Sequence, residues 1–229
     1  MLGWRNGIRT ALKMLRRKAC GFESHPRHLF LMDKRNRPKT ISLDPALRAY
    51  VVGVALGDGN LSNPNGRAVR LRITCDTAYL RLIESICAAL RKLLPENKIS
   101  VHNQKGNCVY VSCYSNHWEK LLGWRASGGS KAKQKIRVPH WVMNRRNTMI
   151  SCLKGLVETD GPVYFDRGYQ MVNFTSNVKY LINDVYSLFS ELGYQPNLYS
   201  RRIRTGTKYT IRLSKNVPDF LAEFKPLKQ

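Results

Sequence analysis

The sequence predicts an α+β chain of two pseudo-symmetric halves, each running α-β-β-α-β-β-α with antiparallel sheets. Three observations predict it. The segment Val51-Val52-Gly53-Val54-Ala55-Leu56-Gly57-Asp58-Gly59 recurs as Leu153-Lys154-Gly155-Leu156-Val157-Glu158-Thr159-Asp160-Gly161. Each copy is a largely apolar run with a central Gly and an Asp-Gly end, a helix followed by a turn. The alternating strand triplets Arg72-Ile73-Thr74 and Asn173-Phe174-Thr175 sit at nearly the same offset as the two segments. The elements after each copy also follow one order, so the repeat covers whole halves.

In the first half, Ser42-Leu43-Asp44-Pro45 is a helix start, a capping acid followed by Pro in the first turn. Leu47, Tyr50, Val51 and Val54 continue at helical spacing up to Gly57. After residues 60–63 and a turn at Asn65-Gly66, residues 69–75 alternate strictly, which marks a strand with one apolar face. Residues 77–94 form an amphipathic helix ended by Pro95, 99–104 and 108–114 a hairpin, and 116–122 a short helix. Residues 125–137, rich in Gly, Ser and Lys, read as a flexible connector into Val138-Pro139-His140-Trp141. The second half repeats the order: helix 147–159, strands 163–165 and 169–175, and helix 178–192 closed by Gly193. Strands 197–204 and 208–213 and helix 218–224 complete it.

Composition bounds the partners. The 229 residues are 43% hydrophobic, enough for a sizeable core. Lys and Arg outnumber Asp and Glu by 39 to 15, and a net charge of +24 calls for a polyanion. No apolar stretch reaches the roughly 18 residues of a membrane span. The cysteines at 20, 75, 87, 108, 113 and 152 lack CxxC or Cys/His ligand spacing, so free, largely buried thiols in a reducing compartment are expected.

The first 31 residues carry no apolar signal region. Gly21-Phe22-Glu23-Ser24 back-translates to GGN-TTC-GAA-TCC, which resembles the T-arm of a tRNA gene, and Trp4-Arg5-Asn6-Gly7 fits a D-arm. The expectation is a translated tRNA gene, with Met32 as the true start. The chain then divides into that leader (1–31), a first half (32–124), a basic linker (125–141) and a second half (142–229).

Gly53 and Gly57 are four apart, as are Ser151, Gly155 and Thr159. Each motif helix thus carries a stripe of small residues that lets two helix backbones approach closely. Packed about a twofold axis, the helices place Asp58 and Asp160 together at their C-terminal ends. A carboxylate there faces the negative end of its own helix dipole and is unfavourable without a cation. Two such acids on a chain this basic point to Mg²⁺, a hard ion that bridges to phosphate, and to metal-dependent cutting of nucleic acid.

The two segments resemble the LAGLIDADG motif, and the chain is similar to single-chain, two-motif LAGLIDADG homing endonucleases over about residues 43–224. Arg137-Val138-Pro139-His140-Trp141 and Asn173-Phe174-Thr175-Ser176-Asn177 add to the likeness. Leu56 departs from it, standing where the family often has an acid and where the second motif keeps Glu158. The resemblance implies a saddle of antiparallel sheets on DNA with the motif helices at its centre, and a double-strand break in a long asymmetric site made by a monomer. It implies metal held by Asp58 and Asp160 with carbonyls of Gly57 and Thr159. Mn²⁺ is expected to replace Mg²⁺, and Ca²⁺ to support binding without cleavage. It further implies a basic residue near each scissile phosphate, for which Lys131 and Lys225 (or Lys228) are the candidates. The competing expectations are an intron RNA maturase and a transcription regulator of the same fold. Location is expected to be cytoplasmic or organellar.

Strand parity supplies the DNA contacts. If Val69, Leu71, Ile73 and Cys75 face the helices, Arg70, Arg72 and Thr74 face outward, with Ser100, His102, Gln104, Tyr110 and Ser112. In the second half Tyr169, Met171, Asn173, Lys208, Thr210 and Arg212 face outward. Such side chains suit base edges, and a β-ribbon fits the major groove. Arg201, Arg202, Arg204, Lys131, Lys133 and Lys135 are assigned to phosphates.

Overall fold

A computed structural model describes residues 40–204 and 206–227. The expected leader (1–31) and Lys228 lie outside these residues. The first half runs α1 (Pro45–Asp58), β1 (Gly59–Ser62), β2 (Arg70–Asp76), α2 (Leu80–Leu93), β3 (Ile99–Asn103), β4 (Cys108–Tyr114) and α3 (Trp118–Leu122). A 3-10 turn (His140–Asn144) leads into α4 (Arg146–Asp160), β5 (Val163–Asp166), β6 (Tyr169–Ser176), α5 (Lys179–Glu191), β7 (Asn197–Ile203), β8 (Gly206–Leu213) and α6 (Val217–Phe224). The two antiparallel sheets have the same strand order, β1-β2-β4-β3 and β5-β6-β8-β7. The α+β class and the repeated element order are those the sequence predicts.

Local chemistry sets the boundaries. Asp44 caps α1, its carboxylate accepting from the N–H groups of Ala46 (2.9 Å) and Leu47 (3.3 Å). Helix α2 starts at Leu80, three residues later than its periodicity suggests. The Asp76 carboxylate takes the Ala78 N–H (2.9 Å) and holds the approach as a turn. The β5–β6 hairpin turns on Arg167 (φ 51) and Gly168 (φ 84), the two positive φ values of a type I′ turn.

The motif helices α1 and α4 pack on each other. A Cβ on Gly53 would lie 2.0 Å from the Cys152 carbonyl oxygen, and one on Gly155 2.5 Å from that of Tyr50. One on Gly57 would lie 2.0 Å from Thr159 Oγ1. At Gly53 and Gly155 backbone meets backbone, so only glycine fits, whereas Gly57 meets the Thr159 side chain. Gly53, Gly57, Gly155 and Thr159 of the stripe expected from sequence lie in this contact. Leu71, Ile73, Val111 and Cys113 on one sheet, and Val172, Phe174, Ile211 and Leu213 on the other, are buried. Cys75, Cys87, Cys113 and Cys152 are buried and Cys108 is half-buried, and none of these five is in a disulfide.

The connector is not the flexible spacer its composition suggests. Gln134 binds it into a closed loop: its Oε1 accepts from the Arg125 N–H, and its Nε2 donates to the carbonyls of Arg125 and Gly129. Ile136 and Val138 are buried, and Asp184 ties Arg137 and the Val138 N–H to α5. This folding delivers Lys131 to the centre of the molecule.

Candidate metal centre and nucleic-acid interface

Asp58 is the last residue of α1 and Asp160 the last of α4. A Cβ on Gly57 would lie 3.2 Å from Asp160 Oδ2, so the second acid rests against the first helix. Lys131 reaches the same place. Its Nζ donates to the carbonyls of Ala55 (2.9 Å), Leu56 (2.8 Å) and Gly57, closing the C-terminal turn of α1. Burial pushes its ammonium down to about 8, against the opposing pull of Asp160 and Asp58. A cleft of about 320 Å³ opens there, lined by Gly57, Lys131 and Asp160 and by Thr175, Ile203 and Lys208 of the second sheet.

The donor set suits a hard cation. Among the described residues no cluster of three or more His, Cys, Asp or Glu exists. Asp160 lines the cleft and Asp58 lies near enough to act on the Lys131 ammonium, so a metal held between them would have two carboxylates as side-chain ligands, with carbonyls, water or phosphate for the rest, the pattern Mg²⁺ accepts. The Gly57 carbonyl is shared with Lys131. Lys225 is placed differently from Lys131: it ends α6 at φ 44, exposed, with its N–H bonded to the Leu221 carbonyl.

Glu158 takes no part in this cleft. It is fully buried, accepting from Tyr50 Oη (2.7 Å) and the Leu227 N–H (3.0 Å), with Lys154 Nζ at 3.9 Å. Burial raises its carboxyl above the usual range, opposed by these hydrogen bonds and by Lys154. It ties α1, α4 and the C-terminal segment together.

The outward faces follow the parity expected from sequence. On the first sheet Arg70 pairs with Ser62 and Tyr114, Arg72 with Asn60 and Ser112, and Thr74 with Tyr110. His102 also pairs with Tyr110, and Ser100 with Ser112. Gln104 lies just past β3, its N–H bonded to the Cys108 carbonyl. On the second sheet Met171 pairs with Tyr164, Asn173 with Arg212, Thr175 with Thr210, and Tyr169 with Asp166. Lys208 pairs with Arg201, Thr210 with Tyr199 and Arg212 with Asn197. Period-two alternation puts each set on one face.

One base contact changes, and one phosphate candidate lies on the other face. Ser112 is on the outward face but only 6% exposed, so it forms the floor beneath its neighbours rather than a contact. Arg202 pairs with Thr207 and so points to the opposite face from Arg201 and Lys208. Lys133 and Lys135 are exposed, Lys135 with its Nζ 5.7 Å from the centroid of the Tyr180 ring, whereas Lys131 is turned inward. Reading strands singly missed Asn60, Ser62, Tyr164, Asn197 and Tyr199. Pairing them to their neighbours by register finds them.

Residues 147–225 match the family model described as a LAGLIDADG-like domain. The whole architecture is similar to I-DmoI solved with DNA and Mn: TM-score 0.59, 18% identity, covering 81% of this chain and 98% of that one. The chain has the two-motif LAGLIDADG fold. The same fold links it to I-DmoI with DNA and Ca (TM-score 0.53, 17% identity, 78% of this chain and 86% of that one). It also links it to the N-terminal LAGLIDADG domain of DUF199/WhiA (TM-score 0.53, 12% identity, 82% of this chain and 86% of that one). No curated protein matches the sequence. In this chain Asp58 and Asp160 end the two motif helices, and Leu56 and Glu158, at equivalent places before them, are both buried.

Proposed function

We propose that this chain is a site-specific DNA endonuclease that makes a double-strand break in a long, asymmetric target by metal-dependent phosphodiester hydrolysis, acting as a monomer. One observation carries the reading: each half contributes one acid, Asp58 or Asp160, at the end of a paired helix, between two sheets whose outward faces carry base-reading side chains. A protein that only binds needs the sheets but not the acids. The +24 charge supplies attraction to the phosphate backbone.

Asp58 and Asp160 would hold the metal, with the Gly57 and Thr159 carbonyls as further ligands. A bound divalent ion supplies an activated water and stabilises the leaving 3′ oxygen. Lys131 keeps a positive charge beside the acids while fixing the last turn of α1. Arg70, Arg72, Thr74, Ser100, His102, Gln104 and Tyr110 read one arm of the target, and Tyr169, Met171, Asn173, Lys208, Thr210 and Arg212 the other. Lys133, Lys135, Arg201 and Arg204 grip phosphates. The I-DmoI structures with DNA and Mn or Ca support a divalent metal as cofactor.

The test is cleavage of a plasmid library carrying randomised sites, with Mg²⁺ and with EDTA. Linear product restricted to a set of related sites, and absent in EDTA, is expected. Sequence-selective binding without any linear product would leave the chain a binding protein.

A further inference from the structure

The two outward faces share a register but not a chemistry, and the register allows them to be compared place by place. Ile73 and Phe174 are buried equivalents in the aligned triplets, so Arg72 corresponds to Asn173 and Arg70 to Met171. Counting on from the same pairs, Ser62, which pairs with Arg70, corresponds to Tyr164, which pairs with Met171. The central cleft touches Thr175, Ile203 and Lys208, so the β7–β8 turn marks the inner end of the second sheet and Met171 and Tyr164 lie toward its outer end. Arg70 and Ser62 lie toward the outer end of the first sheet by the same symmetry.

The outer place of the first sheet is cationic and braced. Arg70 Nε donates to Ser62 Oγ (3.2 Å), and the guanidinium of Arg72 lies 4.6 Å from the Tyr110 ring centroid. Neither arginine has a carboxylate partner among the described salt bridges. Braced arginines lose little side-chain freedom on binding and present a fork suited to guanine O6 and N7. The outer place of the second sheet is a thioether beside a phenol, and the Asn173 amide is turned sideways onto Tyr164 Oη (2.9 Å). Arg212, which pairs with Asn173, is answered by Asp166 at 3.8 Å. The Met171 thioether makes apolar contact with a thymine methyl group, and the surface offers guanine at most a single hydroxyl in place of the arginine fork.

Building on the endonuclease reading, we infer that the two sheets impose a polarity on the target. The first sheet takes an arm with guanines at the places of Arg70 and Arg72, and the second takes an arm with thymine at the place of Met171 and Tyr164. The chain therefore sits on its site in one orientation only, set by base identity at the outer positions.

The experiment selects bound duplexes from a randomised library with the full chain in Ca²⁺. It then measures the selected site with single-atom base analogues that leave the protein untouched. Replacing each outer guanine of one arm by 7-deazaguanine is expected to weaken binding by about fivefold or more. Replacing the outer thymine of the other arm by deoxyuridine is expected to weaken it by about threefold, the worth of one buried methyl group. Arg70→Ala is expected to abolish the 7-deazaguanine effect at one position and leave the deoxyuridine effect intact, and Met171→Ala the reverse. Analogue effects that neither variant removes overturn the polarity while leaving the endonuclease reading standing, and a palindromic consensus overturns the polarity together with the asymmetry of the target but not the cutting. Failure to select any sequence overturns both.

Discussion

The halves agree where backbone meets backbone and differ where side chains meet something else. Gly53 and Gly155 stand against the partner helix at distances that exclude any Cβ, and the two sheets keep one strand order. Beyond that frame the symmetry ends. The C-terminal turn of α1 is closed by Lys131, whereas near the end of α4 Glu158 is buried under Tyr50 and the C-terminal segment. The first motif has Leu56 where the second has Glu158, and both are sealed from solvent. Helix packing tolerates little divergence, because an added methyl group forces backbones apart. A ligand-facing side chain is constrained only by what it binds, so two copies facing different things drift apart.

The largest expected effect tests the feature common to both halves. Asp58→Asn and Asp160→Asn are each expected to reduce double-strand cleavage to background while target binding in Ca²⁺ persists. Gel-shift and linearisation assays on one site measure both. Full cleavage by either variant would remove that acid from the catalytic pair.

Lys131 tests the first difference. Its ammonium, held down to about 8 by burial, is charged below that pH and neutral above it. A role as a cation beside the acids gives a cleavage rate whose dependence on Lys131 is full at pH 7 and fades above about pH 8. Lys131→Met is expected to lose about tenfold or more in rate at pH 7, the scale of one electrostatic stabiliser. The loss should shrink toward pH 9. A variant deficit that grows with pH would show that the neutral amine is the active form, and a constant one that the effect of Lys131 does not depend on its charge.

The outward arginines sharpen the contrast between sheets. Arg72 stacks on Tyr110, whereas Arg212 is charge-compensated by Asp166 and lies farther from its ring, 5.9 Å from the Tyr199 centroid. Arg72→Ala is expected to cost about 1–3 kcal/mol at particular base pairs. Arg212→Ala should cost less than that. Binding profiles of both variants decide, and equal losses would mean that the Asp166 contact opens on DNA.

Glu158 gives the smallest effect, on stability alone. Its raised carboxyl binds protons in the folded chain that the unfolded chain has already released. Stability from this group is therefore complete below the ordinary carboxylate range and falls as pH rises through and above it. Glu158→Gln keeps an acceptor for Tyr50 and removes the ionisation. Its Tm relative to wild type should climb between pH 4.5 and pH 7. An advantage independent of pH would show that the carboxyl titrates normally.

Much of this molecule was legible in the chain because its signals are local. The Asp-Gly ends, the four-residue spacing of small residues and strict alternation along a strand are properties of one segment each. They gave the element order, the helix pair, the two acids and the outward parity of Arg70, Arg72, Met171 and Asn173. The break at Asp76–Leu80 was not legible, because a single carboxylate in the turn outweighs helical periodicity there. Other facts depend on elements far apart in sequence. Lys131 lies in a Gly-rich stretch that reads as a spacer, and only the closure of that loop by Gln134 carries it to the carbonyls of α1. Glu158 reads as a second-motif acid, but Tyr50 and Leu227 converge on it from distant parts of the chain and make it structural. Ser112 has the right parity, yet Arg72 on one side and Ser100 on the other cover it. Local spacing thus determined which residues share a helix or a face. The tertiary structure alone decided which of them meet, because contact depends on the path of the whole chain and burial on every neighbour at once.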